Sequence, residues 1–211
     1  MINEPIWNIT GVHPPKTNLG LAKMHALADA AEQLFTQTSF FEVSVSDICK
    51  AAHTAVGTFY IYFETKTDIY RYLVADYQRR IKRSLSESIA GCTTRYERER
   101  AGIKSFVRFS VSNPNVYHIV WGSLAVEKQL FVNYYMSFAD SYARALSADR
   151  EELVNGDIMS LAYMLMGIAS FLGLRGMLEN MTDQQIDAMV DESIMPILKK
   201  GLFQPPAELH L

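Results

Sequence analysis

The sequence predicts an all-α protein, with a small three-helix head at the front and a larger helical body behind it, about nine helices in all. Three observations carry this. Apolar residues recur at spacings of three and four through most of the chain, the period of a helix with one buried stripe. Helix starts are marked by Ser44 with Asp47, Thr65 with Asp68 and Thr182 with Gln185, each a hydroxyl followed three residues later by a group that can reach back to the first amides. The 211 residues, 49 % hydrophobic and 20 % charged, are enough to bury a sizeable core.

Residues 1–17 hold Pro5, Pro14 and Pro15 and open on Glu4 rather than a basic cluster, so they read as a loose arm, neither helix nor signal peptide. From Asn18 to Thr38, Met24, Leu27, Ala28, Ala31, Leu34 and Phe35 make one helical stripe. Phe40 and Phe41 in the following link are assigned to the core of the head. A helix then starts at Val45 and runs through Ile48, Ala51 and Ala52. His53 and Thr54 interrupt it, and Thr54 is the expected cap of a second short helix over Ala55 to Tyr60, with Phe59 and Phe63 inward. Small residues, hydroxyls and tyrosines fall on its outer side. Two short helices joined by a tight turn, the second so furnished, form the pattern of a helix-turn-helix reader of DNA.

Thr65 and Asp68 open a longer helix at Lys66, carried by Ile69, Leu73, Tyr77, Ile81, Leu85 and Ile89 to a stop at Gly91. At about 1.5 Å per residue it reaches ~37 Å, long enough to link head and body mechanically. Thr94 to Ser112 is another helix, with Ile103, Phe106, Val107, Ser110 and Val111 on one side. Asn113 is expected to cap the next, with Pro114 as its first residue. Leu130, Phe131, Tyr134, Tyr135, Phe138 and Tyr142 give a long aromatic helix from Glu127 to near Ser147, and 149–156 is a polar loop. Met159 to Leu174 carries no charge over sixteen residues. That is short for a membrane span of about 20 residues, and Ser160, Gly167, Ser170 and Gly173 interrupt it. A helix apolar nearly all round is buried on more than one side, here by its own core and by a second subunit. Thr182 caps the last helix, which Pro196 kinks and Gly201 ends.

The run Val43 to Lys66 resembles the DNA-binding signature of the tetracycline-repressor (TetR) family. The matching residues are Asp47-Ile48, Gly57-Thr58-Phe59-Tyr60-Ile61-Tyr62-Phe63 and Lys66 with Asp68, within a likeness that spans Met24 to Tyr70. The resemblance implies a helix-turn-helix DNA-binding domain over 18–66 and an effector-binding and dimerisation domain over 67–211. It implies backbone-anchoring roles for Ser44, Thr58, Tyr60, Tyr62 and Lys66, and base-facing roles for Ser46, Ala55, Val56 and Gly57. The turn departs from the family pattern, because His53, Thr54, Ala55 and Val56 stand where a glycine and small polar or basic residues are usual. Ala55 and Val56 cannot hydrogen-bond a base edge, although they can press on a thymine methyl. The resemblance also implies a homodimer through the last two helices and a small-molecule pocket in the middle of the chain. Phe109, Tyr117, Trp121, Tyr134, Phe138 and Tyr163 are its candidate lining, of a composition that suits an apolar or aromatic effector. Only Arg108, Lys128 and Arg175 lie near in sequence, which disfavours a polyanion. His118, beside Tyr117 and Trp121, reads first as a core histidine and second as a group orienting a ligand.

Charge runs against a basic DNA-binding head. Residues 1–68 hold four Lys or Arg against seven Asp or Glu, residues 69–108 ten against four, and the remainder six against twelve. The cations of the long helix, Arg71, Arg79, Arg80, Lys82 and Arg83, are assigned mostly to a solvated face. Hydroxyls and helix amides would then hold the phosphates. Cys49 and Cys92 lack metal-like spacing, which fits a reducing, cytoplasmic setting without disulfides. The five histidines form no metal cluster, and no Gly-rich phosphate loop or nucleophile elbow appears, so neither an enzyme nor a cofactor or metal site is expected. The expectation is a DNA-binding transcriptional regulator, a repressor released from a palindromic operator by its effector, with no membrane partner. The alternative is a ligand-binding or protein-interaction module that keeps the head but has lost operator binding.

Overall fold

The computed structural model describes residues 8–200, and among them there are helices and no strand. Expectations placed on residues 1–7 and on Gly201 lie outside the described residues. The chain forms two compact units. The first takes residues 8–83 and 113–141, the second 84–112 and 142–200.

In the first unit, α1 (Asn18–Gln37), α2 (Val45–Ala51) and α3 (Val56–Tyr62) pack on one another and lead into α4 (Lys66–Ile89). Thr17 caps α1, which was not foreseen from the sequence, and the reciprocal Ser44–Asp47 box caps α2 as expected. Met24, Leu27, Ala31, Ile48, Phe59, Phe63 and Ile69 are buried. Phe40 joins this core against Phe35 and Tyr70, with ring centroids 5.4 and 5.3 Å away, whereas Phe41 is exposed, contrary to its assignment. Thr54 is not the cap of α3. Its amide closes back on the Cys49 carbonyl, His53 takes a left-handed φ of 52°, and Ala55 becomes the cap residue without a side-chain bond.

The described part of the arm is not loose. Val12 pairs with Phe63, the His13 amide donates to the Tyr62 carbonyl at 2.8 Å, and the Glu64 amide donates to the Gly11 carbonyl at 3.0 Å. Gly11 is required here: its φ is +78°, and a Cβ would come within 2.5 Å of the Asp68 carboxylate. Asp68 is itself buried, accepting from the Thr65 amide and hydroxyl and pairing with Arg71.

The same unit holds α6 (Val116–Val126) and most of α7 (Lys128–Ala148). Pro114 sits in a turn rather than at the first helical position; the Val116 amide bonds to the Asn113 carbonyl, and the helix begins two residues later than expected. Three ties join α6 and its cap residues Asn115 and Glu127 to α1 and α4: Tyr70 donates to the Ile119 carbonyl, Asn115 donates to Glu32, and Arg71 pairs with Glu127. Tyr77 of α4 donates to the same Glu32. Most of the α4 cations are engaged with neighbouring side chains rather than simply solvated, while Arg83 is exposed. Arg79 and Arg80 pair with Asp76, and Lys82 donates to Ser137.

In the second unit α5 (Arg95–Ser112) packs along α8 (Ile158–Leu178). Gly176 permits the approach, since a Cβ there would stand 2.8 Å from Val107. The expected polar loop contains a short 3-10 turn, Arg150–Glu152. After the Thr182–Gln185 capping box, α9 (Asp183–Ala188) widens into a π-helical stretch, Met189–Ile194, before α10 (Met195–Lys200). Pro196 lacks an amide and crowds the preceding turn, so the kink read from sequence appears as this wide turn.

Arg100, Lys104 and Arg108 on α5 face Asp191, Asp187 and Asp183, an antiparallel ladder with one residue per turn on each side. Hydrogen bonds from Arg100, outweighing partial burial, hold Asp191 at about 2, well below the usual carboxylate range. A depressed carboxylate contributes stability that is complete above its unfolded value near 3.9 and lost as pH falls through its folded one. Stability of the native chain is therefore expected to drop between about pH 4 and about pH 2, and Asp191→Asn is expected to flatten that limb in acid-unfolding curves followed by circular dichroism.

Candidate nucleic-acid interface

Helix α3 owes its placement to Phe59 and Tyr62, which are buried and leave the opposite arc to solvent. On that arc Ala55, Val56, Gly57, Tyr60 and Ile61 are exposed, with Val56 at 44 %, Tyr60 at 54 % and Ile61 at 60 %. Thr58 is half-buried at its edge. Ser44 and Ser46 are exposed at the start of α2. The Ser44 hydroxyl is already donated to Asp47 at 2.6 Å while it accepts the Asp47 amide, which makes it a cap first. Seven of the nine residues expected on the DNA side thus lie at or beside one solvent-facing surface.

Two do not. Tyr62 is only 6 % exposed, and its hydroxyl lies 3.1 Å from the Cβ position of Gly20 on α1, so it closes the head's interior instead of reaching outward. Lys66 is half-buried, donating to the Phe40 and Val43 carbonyls at 2.6 Å each, with its ammonium 4.3 Å from the Phe40 ring centroid. Partial burial pushes its pKa down. Its observed work is to fasten the link between α1 and α2. Sequence reasoning missed Ile61, whose exposure could have been read from its place four residues after Gly57 on the same arc.

The candidate effector residues are divided. Tyr117, Trp121, Tyr134 and Phe138 belong to the first unit, while Phe109 and Tyr163 belong to the second. Within the first unit the rings form pairs along α6 and α7: Tyr117 with Trp121 at 5.1 Å, Tyr134 with Phe138 at 5.0 Å and with Tyr135 at 5.3 Å. The Trp121 indole donates to the Tyr135 hydroxyl at 2.9 Å. Burial drives the Tyr134 hydroxyl far above its ordinary pKa, so it stays neutral. His118 is exposed and is not a core histidine. Of the nearby cations, Arg108 is spent on Asp183 and Asp187, Arg175 on Glu179, and Lys128 is exposed. Among the described residues no three His, Cys, Asp or Glu side chains converge where a metal ion could sit.

A capped α2, a left-handed turn and an α3 with a buried inner edge and an open outer arc, ahead of a helical body, define a helix-turn-helix transcription regulator. Residues 27–73 match the family described as bacterial regulatory proteins, tetR family. An HTH-type transcriptional regulator of Mycobacterium tuberculosis is 25 % identical over 181 residues, 82 % of this chain and 83 % of the relative. The fold is shared with the fatty acid degradation regulator FadR from Bacillus halodurans, at a TM-score of 0.69 and 18 % identity over 87 % of this chain and 97 % of that one. It is shared also with the transcriptional regulator FadR from Bacillus subtilis in complex with stearoyl-CoA, at 0.68 and 21 % identity over 85 % and 99 %. Over residues 27–73 the chain is thus similar to the tetR family of regulators, and over most of its length to an HTH-type transcriptional regulator.

Proposed function

We propose that the chain is a cytoplasmic, ligand-responsive repressor that binds a palindromic operator as a homodimer and is released by an apolar or aromatic small molecule. The open, uncharged arc of α3 is the observation that carries this reading. The head, residues 18–66, docks on DNA with Ser44, Ser46, Ala55, Val56, Gly57, Thr58 and Tyr60. Residues 67–211 bind the effector and the second subunit. Tyr117, Trp121, Tyr134 and Phe138, all within the first unit, are the effector residues of this reading. One relative's solved structure holds stearoyl-CoA, and a long acyl chain is an apolar ligand of the kind these rings suit. An effector among them displaces α6, and the ties from α6 to Glu32, Tyr70 and Arg71 carry the displacement into α1 and α4.

The dimer surface is α8 with the helices after it. Met159, Tyr163, Phe171 and Leu178 make an exposed apolar stripe on α8, with Gly167 open to solvent between them. Among the described residues α8 is the one helix long and apolar enough to cross a membrane. Its other side lies against α5, whose Arg100, Lys104 and Arg108 form ion pairs, and a lipid setting would suit neither those charges nor their partners.

A gel-shift with the chain's own upstream DNA, with competitor and at two salt concentrations, tests the reading. Each neutralised phosphate adds about −0.9 to the slope of log affinity against log salt. With Arg71, Arg79 and Arg80 in ion pairs and Lys66 turned to carbonyls, specific binding with a shallow slope is expected. A slope near about −10 contradicts this way of docking. No specific shift at either salt favours the module that keeps the head without an operator, a reading that the buried Tyr62 and the acidic head would then explain.

A further inference from the structure

The outward arc of α3 is built without a charged or amide side chain. At about 100° per residue Val56 and Tyr60 share one edge of it and Gly57 and Ile61 the other, all within one open quadrant and a half. Ala55 is exposed just ahead of them, and a Cβ on Gly57 would meet nothing within 4 Å, so the helix backbone is bare to an approaching partner at that point. Lys50 and His53 are exposed on α2 and the turn, not on α3, and the Lys66 ammonium is held by two carbonyls.

The major groove presents guanine as two acceptors, suited to Arg or Lys, and adenine as an acceptor and a donor, suited to Asn or Gln. This arc offers neither. It offers methyl groups, and the one methyl in the groove is the 5-methyl of thymine. The polar groups left nearby, the hydroxyls of Ser46, Thr58 and Tyr60, can hold phosphates without choosing a base.

Resting on the DNA-binding reading above, we infer that Ala55, Val56 and Ile61 set operator specificity through thymine methyl groups, so that each half-site is marked by thymines under α3. The duplexes this chain prefers are then defined by where methyls stand in the groove rather than by guanine acceptors.

The test starts from a pool of duplexes with a randomised centre, enriched by repeated binding to the full chain. The enriched duplexes are copied with dTTP or with dUTP, which keeps every base pair and removes only the methyls. Binding is expected to fall about tenfold or more in the dU copies, since each methyl taken out of water is worth a factor of about four. Val56→Ala and Ile61→Ala change exposed residues and leave the folded head intact. They are expected to weaken binding to the dT duplex by a larger factor than binding to the dU duplex. Replacing guanine by 7-deazaguanine, which lacks the N7 acceptor, is expected to change nothing. Equal affinity for dT and dU copies, or equal losses on both for the two variants, would overturn the methyl readout while DNA binding stands. Failure to enrich any duplex would overturn it together with the DNA-binding reading.

Discussion

Phe171→Arg is expected to turn a dimer into a monomer and, in consequence, to weaken binding to a two-half-site operator about a hundredfold or more. Phe171 is 68 % exposed at the middle of the α8 stripe, a large ring left mostly open by the described residues. A single chain gains nothing by presenting Met159, Tyr163, Phe171 and Leu178 to water on one face, whereas a second copy of the same stripe buries both. A guanidinium at the centre meets its symmetry mate, so charge repulsion and desolvation act together. Because the side chain is largely exposed, the monomer should keep its helical content, and light scattering with circular dichroism separates dissociation from unfolding. An unchanged dimer would mean that the apolar stripe serves something else.

Glu99→Ala is expected to cost about 3–5 kcal/mol of folding stability, the range found when one partner of a buried ion pair is removed. Glu99 and Arg95 are both buried on α5; Arg95 donates to Glu99 through Nε at 2.8 Å, and the Tyr142 hydroxyl donates to the other carboxylate oxygen. Burial and the Glu99 charge push the Tyr142 pKa well up, which keeps it a donor. Truncation leaves the enclosed Arg95 guanidinium with the Tyr142 ring at 5.5 Å and, as its carboxylate among the described residues, Asp149 at 3.6 Å. The nearby Glu97, an exposed acceptor for the Thr93 and Thr94 amides, serves as the control, and its truncation is expected to cost clearly less. Equal losses in urea unfolding for the two variants would show that the buried cluster adds nothing beyond a cap.

The helices were legible because their signals are local. Capping pairs such as Ser44–Asp47 and Thr65–Asp68 act within one turn, and the stripes of α1 and α4 follow from period alone. What failed was long-range. Nothing within three residues of Lys66 indicates that Phe40 and Val43 present carbonyls to it, and nothing near Tyr62 indicates that α1 passes close enough at Gly20 to cover it. The arm was misread for the same reason, since a bridge from Val12 to Phe63 spans fifty residues. That Arg95, Glu99 and Lys104 of α5 are buried was not legible either, because Asp149 and Asp191, with which Arg95 and Lys104 pair, lie on segments far along the chain. The outer arc of α3 was legible apart from Ile61, because a surface defined by one helix needs only that helix's period.

A nuclease footprint of the chain on the DNA upstream of its own gene tests the central claim most directly. Two protected half-sites on one face, centred about 34 Å apart, are expected, with both lost in Tyr60→Ala, whose exposed ring can leave without disturbing the fold. Protection that survives Tyr60→Ala unchanged, or no protected segment at any concentration of the folded dimer, would contradict it.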